Sequence, residues 1–537
     1  INDSELTKLN KSDYIVDIFL TVFQLRALRG MGKGEKKLFY ISINELYKYY
    51  PLTILSLVND IPYYGCFIDL LEIAVYKDCD NLLKLECIKV FSKQLIEDKE
   101  KLDNKDLNIS LAFKWAPREN KYFDKKGGLV SIFCNILFPN IKSYKESRKK
   151  YRHFLKYSNY LKIPEVLMSA NKWSQINFNK VPSLCLNNNR KAFLNEHLRK
   201  TLTIQEENSG NRFPKDEERI KCRKNLINNV VKGKINAKEL FPHIIIKKLI
   251  NHTSNKSNLS YTENILIKKQ WEIIKESVLN NLCEKKEKFS LGNIVPIVDV
   301  SGSMFCDNLT PISVSIAMGI LVSEITNEEF RDRIITFESN PTWVNLESCN
   351  NIIDKVNKVK NASWGGSTNL EATFDMILSI VKEKKLIQDQ IPNLIIFSDM
   401  QFDECLGHGN KWDTMYRKIK LRFSETGEKM NGIPLKPPMI IFWNLRGNSY
   451  SGIHAPVRDE TENVQLLSGF SPQMLRLILE GELGEENIII EKEDKYGNII
   501  VEKEKKKVTP YDTWRKSIDR DIFDRIRIKL SNSVEKN

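Results

Sequence analysis

The stretch Leu291–Met304, which reads LGNIVPIVDVSGSM, limits the possible folds of this chain more than any other segment. Residues Ile294–Val300 are β-branched and apolar, a pattern typical of a strand that is buried on both faces of a sheet. The strand ends in Asp299, and Ser301 and Ser303 follow at alternate positions. Ligands of open parallel sheets bind beyond the carboxyl ends of the strands, and three oxygens in that place favour a hard cation.

Two later segments are predicted to reach the same edge of the sheet. Ser363–Asn369 is a glycine-rich turn before a helical pattern at Leu370–Lys382, and Asn393–Asp399 is a second buried strand that ends in an aspartate. The side chains collected at this edge are all oxygen donors, which suit Mg²⁺ or Mn²⁺. The predicted metal ligands are Asp299, Ser301, Ser303, Thr368 and Asp399.

This five-part pattern resembles the metal-ion-dependent adhesion site of von Willebrand factor A domains, and the resemblance covers Lys288–Asn444. It implies that the two serines and the threonine bind Mg²⁺ directly or through water, while the aspartates hold coordinated waters. It also implies an open coordination position that takes an acidic residue of a protein partner. In the alternative interpretation these residues only form strand-end turns, which favour Asp, Ser and Gly.

Enzyme chemistry is not predicted at this edge. A phosphoaspartyl phosphatase needs a second carboxylate two residues after its nucleophile, and that position is Ser301. A nucleophile elbow needs a glycine two residues before and after its serine, where Ser301 has Asp299 and Ser303. A hydrolase that uses the metal is disfavoured because no general base lies beside the site in the sequence. We therefore expect a protein that is not an enzyme.

Length and charge limit the class of protein. A chain of 537 residues, 41% of them hydrophobic, is expected to fold as two or three domains. The net charge of +14 favours an anionic partner, with nucleic acid ahead of membrane, because the sequence shows no signal peptide and no long uncharged apolar run. A genome whose proteins are generally rich in Lys, Asn and Ile would produce the same excess of positive charge without an anionic partner. Ten cysteines occur singly, without zinc spacing, and predict reduced thiols in an intracellular, cytoplasmic protein.

The segment Ile141–Lys162 is the most typical of a nucleic-acid contact. It contains eight Lys or Arg and one Glu, with tyrosines interleaved between the charges. This combination follows a phosphate backbone and stacks on bases. In the alternative interpretation, Tyr151, Phe154, Leu155 and Leu161 form the buried stripe of an ordinary helix. The candidate RNA contacts are Lys142, Lys145, Arg148, Lys149, Lys150, Tyr151 and Arg152.

A second candidate for RNA contact lies between the first two predicted helices, at Arg26–Lys37. Three glycines at two-residue spacing stand among basic residues, and their backbone N–H groups are suited to cradle a phosphate. The alternative is a helix C-cap followed by a solvated turn. The candidate RNA contacts of this loop are Arg29, Lys33 and Lys36.

Several segments resemble an uncharacterised family that joins a helical domain to a von Willebrand A domain and is itself similar to the TROVE module of Ro ribonucleoproteins. The resemblance is carried by Arg26–Lys37, Ile61–Leu71 and Leu111–Glu119, and it extends over nearly the whole chain. Ro proteins bind single-stranded RNA ends in the hole of a helical ring and structured RNA on its basic outer face. The resemblance therefore implies an architecture and RNA as a partner, without assigning an activity to any residue.

The predicted fold is multidomain. An all-α domain of HEAT-like helical repeats at 1–286 precedes an α/β doubly wound, Rossmann-like domain of the von Willebrand A type at 287–537. Residues 200–224 are predicted as a polar insertion or loop and Leu466–Glu480 as a helix closing the sheet. Glu485–Lys507 is predicted as a hairpin extension.

The predicted function is that of a non-enzymatic RNA-binding or ribonucleoprotein scaffold that resembles Ro proteins. Its Mg²⁺-dependent adhesion site is expected to bind an acidic residue of a protein partner. The alternative is a protein–protein assembly module that uses the metal site and does not bind RNA. No membrane partner is expected.

Overall fold

The structure, a computed structural model, divides the chain into two compact units, residues 1–172 with 509–537, and residues 173–508. The first unit is helical, and the second combines helices with a mixed β-sheet. The described residues are 11–28, 32, 34–196, 211–237, 240–254, 261–282, 292–337, 341–362, 370–399, 410–445, 464–472, 475, 485–493, 499–507, 514–515 and 518–534.

The α-helices of the first unit, α1–α11 and α20, are irregular in length. They range from 4 to 23 residues and give no support to a HEAT-like repeat within the described residues. In chain order the helices of both units are α1 (Lys11–Arg26), α2 (Lys37–Tyr49), α3 (Pro51–Leu57), α4 (Ile61–Tyr64), α5 (Phe67–Ala74), α6 (Asn81–Asp103), α7 (Ala112–Trp115), α8 (Tyr122–Gly127), α9 (Leu129–Leu137), α10 (Tyr144–Phe154), α11 (Pro164–Ser169), α12 (Ser183–Phe193), α13 (Glu217–Val231), α14 (Pro242–Ser254), α15 (Tyr261–Leu282), α16 (Cys306–Ile325), α17 (Ile352–Lys360), α18 (Leu370–Lys384), α19 (Asn410–Asn431) and α20 (Asp524–Val534).

The core of the first unit is rich in aromatic rings. Phe23 packs edge-on against Phe39, with ring centroids 5.7 Å apart, and against Tyr64 at 5.3 Å. Pairs of this geometry contribute about 0.5–1.5 kcal/mol each beyond the burial of their surface. The phenylalanines without exposed surface include Phe19, Phe23, Phe39, Phe91, Phe113 and Phe133.

A buried ion pair joins the end of α1 to α5. Arg26 and Asp69 have no exposed side-chain surface, and Arg26 Nε donates to Asp69 Oδ2 at 2.9 Å. Asp69 also accepts from Tyr40 Oη at 2.6 Å and from the backbone N–H of Cys66 at 2.7 Å. A Cβ at Gly65 would lie 2.0 Å from Asp69 Oδ2, so a larger residue would displace the carboxylate. Removing either charged partner would leave the other buried without its counter-charge.

The C-terminal segment is part of the helical unit, which corrects its assignment to the α/β domain at 287–537. Phe523 stacks on Tyr64 with ring centroids 5.8 Å apart, and Tyr64 Oη donates to the Ile522 carbonyl at 2.7 Å. The fully buried Asp60 pairs with Arg525 and Lys529 of α20. The segment lies there because its apolar face completes the first core. The buried residues of that face are Ile518, Phe523, Ile526 and Leu530.

Truncating the buried ring of Phe523 tests this assignment. Phe523→Ala should lower the free energy of unfolding of the helical unit by about 3–5 kcal/mol, because it removes burial and leaves a cavity beside Tyr64. Urea denaturation is the measurement. The control Ile528→Ala changes a side chain of α20 that is 62% exposed and should cost no more than about 0.5 kcal/mol. Equal effects of the two changes would contradict the docking of α20.

Helices α14 and α15 precede the predicted boundary near residue 286, yet they share a core with the sheet. Ile246 and Trp271 are buried in the same cluster as Val298 of the first strand. Trp271 Nε1 donates to Glu324 Oε2 at 3.1 Å, and Lys355 Nζ donates to Glu324 Oε1 at 2.8 Å. These contacts tie α15 to α16 and α17. The division between compact units therefore falls after residue 172 rather than near 286.

A six-stranded sheet in the order β3-β2-β1-β4-β5-β6 forms the centre of the second unit. Neighbouring strands are parallel except β2 and β3, which are antiparallel. Strands β7 and β8 form a separate antiparallel hairpin, as predicted for Glu485–Lys507. The strands are β1 (Ile294–Asp299), β2 (Arg333–Phe337), β3 (Thr342–Asn345), β4 (Asn393–Ser398), β5 (Ile440–Asn444), β6 (Val464–Ser468), β7 (Glu485–Glu493) and β8 (Ile499–Lys507).

Strand β1 is buried on both faces, which confirms the prediction for this strand. Ile294 and Val298 belong to one core with α14–α17, and Val295 and Ile297 belong to a second core with α18 and α19. A Cβ at Gly319 of α16 would lie 2.2 Å from Val298 Cγ2, so glycine allows the helix to approach the strand. Two helical layers thus enclose β1.

Helix α16, together with the short turn before it, has the length and composition of a membrane span. The stretch Gly302–Ile325 meets those criteria among the described residues, and most of its apolar window is buried inside the protein. Its composition fits the position of α16, which packs on β1 within the second unit.

Two predicted elements are wrong in part. Leu466–Ser468, expected to begin a helix, belongs to β6 and pairs with β5 in parallel. The polar segment predicted as a loop up to residue 224 becomes helical at Glu217, where the Asp216 side chain caps the backbone N–H of Arg219. Helix α13 forms because Cys222 and Leu226, four residues apart, are both buried.

Candidate functional site

The carboxyl end of β1 lies at the switch point of the sheet. The strand order continues through β2 on one side of β1 and through β4 on the other, which is where ligands of such sheets bind. The pairing of Val298 with Phe397 brings the next residues, Asp299 and Ser398, side by side. Asp399 follows at the end of β4. The two aspartates predicted as metal ligands therefore end adjacent strands.

Hydrogen bonds hold the Asp299 carboxylate in place. The backbone N–H of Ser301 donates to Asp299 Oδ1 at 2.9 Å, and Ser398 Oγ donates to Asp299 Oδ2 at 2.5 Å. The hydroxyl oxygens of Ser301 and Ser303 lie 3.1 Å apart. Asp299 has no exposed surface, and Asp399 is nearly as buried. The site is therefore pre-arranged below the protein surface.

Burial raises the pKa of the Asp299 carboxyl to about 6, while the hydrogen bonds from Ser398 and Ser301 oppose the shift and the charge of Asp399 adds to it. The anionic form of this carboxyl is thus costly in the absence of a cation. A divalent ion at the strand ends would offset that cost.

The backbone that follows the site is strained. Asp307, Asn308 and Leu309 have φ of 48°, 58° and 62°, and these left-handed residues interrupt the first turn of α16. Each such residue costs about 1–2 kcal/mol relative to the right-handed conformation. The regular part of the helix contains the predicted stretch Ile312–Ile325.

The donor set fits a hard cation. The described part brings together two carboxylates and two serine hydroxyls, without nitrogen or sulphur ligands, as Mg²⁺ prefers. No cluster of three or more His, Cys, Asp and Glu side chains that would suit a metal occurs among the described residues. Thr368, the remaining predicted ligand, lies outside the residues that the structure describes.

The pKa of Asp299 gives a prediction for the metal-free protein. A carboxyl whose pKa rises from 3.8 to about 6 on folding stabilises the fold below pH 3.8, and this contribution is lost as the pH rises through 6. In EDTA, Asp299→Asn should therefore be more stable than the wild type at pH 7.5, by up to about 3 kcal/mol, with the difference shrinking toward pH 4. Urea denaturation across this pH range is the measurement.

The exposed Asp389 lies shortly before the start of β4, away from the strand ends that carry the site. It supplies the matched control. Asp389→Asn should change the stability by no more than about 0.5 kcal/mol at any of these pH values. A variant Asp299→Asn that is less stable than the wild type at pH 7.5 in EDTA would contradict the argument from burial.

The basic segment forms α10, and its charged residues separate into two groups. Lys142, Lys145, Lys149 and Lys150 are exposed. Arg148 instead forms an ion pair in which its Nη1 lies 3.7 Å from Asp124 Oδ2. Its guanidinium also donates to Ser131 Oγ and stacks over the Tyr144 ring. Arg152 donates twice to Glu119, at 2.9 and 2.8 Å. The four lysines are therefore the part of the segment that is available to phosphates.

Tyr151 is not available to RNA, which corrects its place among the candidate contacts. Its side chain has no exposed surface, and its Oη donates to the Pro117 carbonyl at 3.0 Å. Phe154, Leu155 and Leu161 are also buried, so the alternative interpretation of a buried helical stripe holds for this face of α10. The opposite face carries the lysines.

The loop at Arg26–Lys37 is described only in part. Arg29 and Lys33 lie outside the described residues, while Lys36 is exposed just before α2. Arg26 is committed to Asp69 and is not available to a ligand. A Cβ at Gly32 would lie 2.0 Å from the Ala27 carbonyl oxygen, so this glycine serves a close backbone contact.

Ser398, which donates to Asp299 from the neighbouring strand, was not among the predicted site residues. Its signal was its position immediately before the strand-end Asp399, which parallel pairing brings beside the end of β1. A cavity in the helical unit was not predicted either, because its lining residues are far apart in the sequence.

The chain is similar to two families and to a viral protein. Residues 77–281 match the family described as Domain of unknown function (DUF2828), and residues 293–518 match Domain of unknown function (DUF7788). The predicted boundary near 286 lies between these regions. A relative of this chain is Uncharacterized protein L728 of Acanthamoeba polyphaga mimivirus, which is 29% identical over 485 residues that cover 86% of this chain and 76% of that protein.

Among solved structures, the chain is similar to the crystal structure of the Deinococcus radiodurans RO (RSR) protein. The two are 11% identical, and the match covers 89% of each chain with a TM-score of 0.35. A score of this size does not show a shared fold. What the structure itself shows is a helical N-terminal region followed by a mixed α/β sheet domain.

Proposed function

We propose that this chain is a non-enzymatic RNA-binding scaffold whose second unit carries a Mg²⁺ site for an acidic ligand. The observation that carries the RNA part is the exposed lysine face of α10, defined as Lys145, Lys149 and Lys150 of the helix together with Lys142 just before it. None of these four lysines forms an ion pair within the part of the chain that the structure describes. Unpaired ammonium groups on and just before one helix are suited to neutralise successive phosphates.

Aromatic side chains accompany this face and support a single-stranded ligand. Tyr144, at the start of α10, is 63% exposed, and Tyr160, just beyond the helix, is 57% exposed. Tyr160 lies 6.2 Å from the half-buried Tyr157, at an interplanar angle of 31°. Exposed rings beside lysines provide base stacking together with phosphate contacts. The buried stripe of α10 anchors this surface to the core of the first unit.

The dependence of RNA binding on salt tests this part of the proposal. The double change Lys145→Gln and Lys149→Gln removes two phosphate contacts, so the slope of log K against log salt should become about 1.4 units shallower for single-stranded RNA. Fluorescence anisotropy with a labelled oligonucleotide between 50 and 300 mM salt is a suitable measurement.

The control for this experiment is the double change Lys77→Gln and Lys101→Gln, which alters two exposed lysines of the same unit and keeps the net charge equal to that of the test variant. Its slope should stay at the wild-type value. Absent or salt-insensitive RNA binding would refute the RNA part. With Mg²⁺ binding retained, that result would favour the alternative of a protein assembly module.

In the metal part of the proposal, Mg²⁺ binds at the carboxyl ends of β1 and β4. Asp299, Ser301, Ser303 and Asp399 supply its protein oxygens, and the resemblance to the adhesion site adds Thr368. The raised pKa of Asp299 supports this assignment, because a buried carboxylate beside a second one needs a counter-charge at neutral pH. The bound ion would supply an open coordination position to an acidic residue of a partner protein.

Stabilisation by Mg²⁺ tests the metal site. The free energy of unfolding of the wild type should rise by about 2.7 kcal/mol when free Mg²⁺ is one hundred times its Kd. Ser303→Ala should lose most of this increase. Ser323 lies away from the strand ends, and its Oγ donates to the Ile320 carbonyl at 2.8 Å. The control Ser323→Ala should therefore keep the stabilisation by Mg²⁺. Thermal or urea denaturation with and without Mg²⁺ measures both, and a wild type indifferent to Mg²⁺ would refute the site.

A further inference from the structure

A cavity of about 390 Å³ lies in the helical unit, beside α4 and one face of α6. This volume is within the range of roughly 300–1,000 Å³ that is typical of small-ligand sites. Lys93, Gln94 and Glu97 of α6 line it at helical spacing, so they share one face of that helix. Tyr63 of α4 and Phe67 of α5 also line the cavity. The cavity therefore combines polar groups with aromatic rings.

The aromatic rings provide a fixed stacking surface. Tyr63 is 45% exposed, yet its ring is held in place by the edge of Tyr64 at 5.1 Å and by the Arg525 guanidinium at 5.3 Å. Phe67 packs edge-on against the buried Phe91 at 5.6 Å. Because neighbouring side chains restrain these rings, they are suited to accept a flat ligand with little loss of side-chain freedom.

The polar residues of the cavity are available and oriented. Lys93 and Glu97 are exposed, and neither forms an ion pair within the described ranges. Gln94 Nε2 donates to Asp98 Oδ1 at 3.0 Å, and the fully buried Asp98 also accepts from the backbone N–H of Ser110 at 3.0 Å. Asp98 therefore restrains the side chain of Gln94, which lines the cavity.

We propose that this cavity binds a guanine base. The ring system stacks on Tyr63 and Phe67, the Glu97 carboxylate accepts hydrogen bonds from the Watson–Crick edge, and the Lys93 ammonium binds the attached phosphate. This inference goes beyond the proposed function, since it does not use the exposed lysine face of α10 and assigns a base-specific site.

The choice of guanine follows from its pattern of donors. Among the four RNA bases, only guanine has two neighbouring donors on its Watson–Crick edge, N1–H and the N2 amino group, and one carboxylate accepts both. Adenine and cytosine place a ring nitrogen acceptor beside a single amino donor, so a carboxylate such as Glu97 is repelled by their ring nitrogen. Uracil has one N–H between two carbonyl acceptors. Base edges of unpaired nucleotides are accessible to such contacts.

Calorimetry with the 537-residue chain and GMP, AMP and CMP tests the proposal. GMP should bind at least about tenfold more tightly than AMP or CMP, since two hydrogen bonds to one base edge discriminate by this factor or more. Glu97→Gln should abolish the preference for GMP. Guanosine should bind more weakly than GMP, and Lys93→Gln should remove that difference. Equal affinities for GMP and AMP, or no saturable binding of GMP at millimolar concentration, would overturn the proposal.

Matched variants separate base recognition from damage to the fold. Glu100→Gln changes an exposed carboxylate of α6 that does not line the cavity, and GMP binding should be unaffected. Tyr63→Phe should keep the affinity, and Tyr63→Ala should lower it about tenfold. An unchanged affinity in Tyr63→Ala would overturn the stacking assignment.

Two further measurements identify the source of the base. If a guanine-containing oligonucleotide competes with GMP, the ligand of the cavity is RNA. If GMP binds and the oligonucleotide does not compete, the ligand is a free nucleotide. Both results support a guanine site. The double change Lys145→Gln and Lys149→Gln should leave GMP binding intact. Loss of RNA binding with retained GMP binding thus separates this site from the lysine face of α10.

Discussion

The burial of β1 between two helical layers is the constraint on which the second unit depends. Ile294, Val298 and their neighbours alternate between two cores, and Gly319 lets α16 lie directly on the strand. A strand held in this way has no freedom to shift its register by one residue. Asp299 therefore has a fixed position beside Ser398, where burial leaves its carboxylate charge poorly solvated. The chemistry of the strand ends follows from the packing of the strand.

The helical unit depends on an equally specific pair of buried charges. Arg26 and Asp69 fix the end of α1 against α5, and the surrounding aromatic core extends to the C-terminal segment through the stacking of Tyr64 and Phe523. A buried ion pair stabilises weakly in itself but penalises arrangements that separate its members. The same packing sets both surface sites of the unit. Tyr151 in the core turns the lysines of α10 outward, and Arg525 of α20 supports Tyr63 at the cavity.

Much of the second unit could be predicted from local pattern. The continuous apolar runs before Asp299 and Asp399 identified both strands and their common edge, because a strand buried on both faces and a polar strand end leave a clear signal. Leu466–Ser468 was misassigned, since a short apolar run fits a strand or a helix equally well. Glu217–Val231 was missed because only three apolar residues, Cys222, Leu226 and Val230, mark its buried face among many polar residues.

The sequence by itself determined which chemical groups stand together locally: the oxygen donors after β1, the lysines of α10 and the hairpin at Glu485–Lys507. Only the tertiary structure decided which of these groups are exposed. Tyr151 and Arg148 belong to the same helix as the lysines, but one is buried and the other is paired with Asp124. The tertiary structure also placed α20 in the helical unit and assembled the cavity from α4, α5 and α6. The physical reason is that burial and ion pairing depend on partners distant in the chain, which no local pattern of residues specifies.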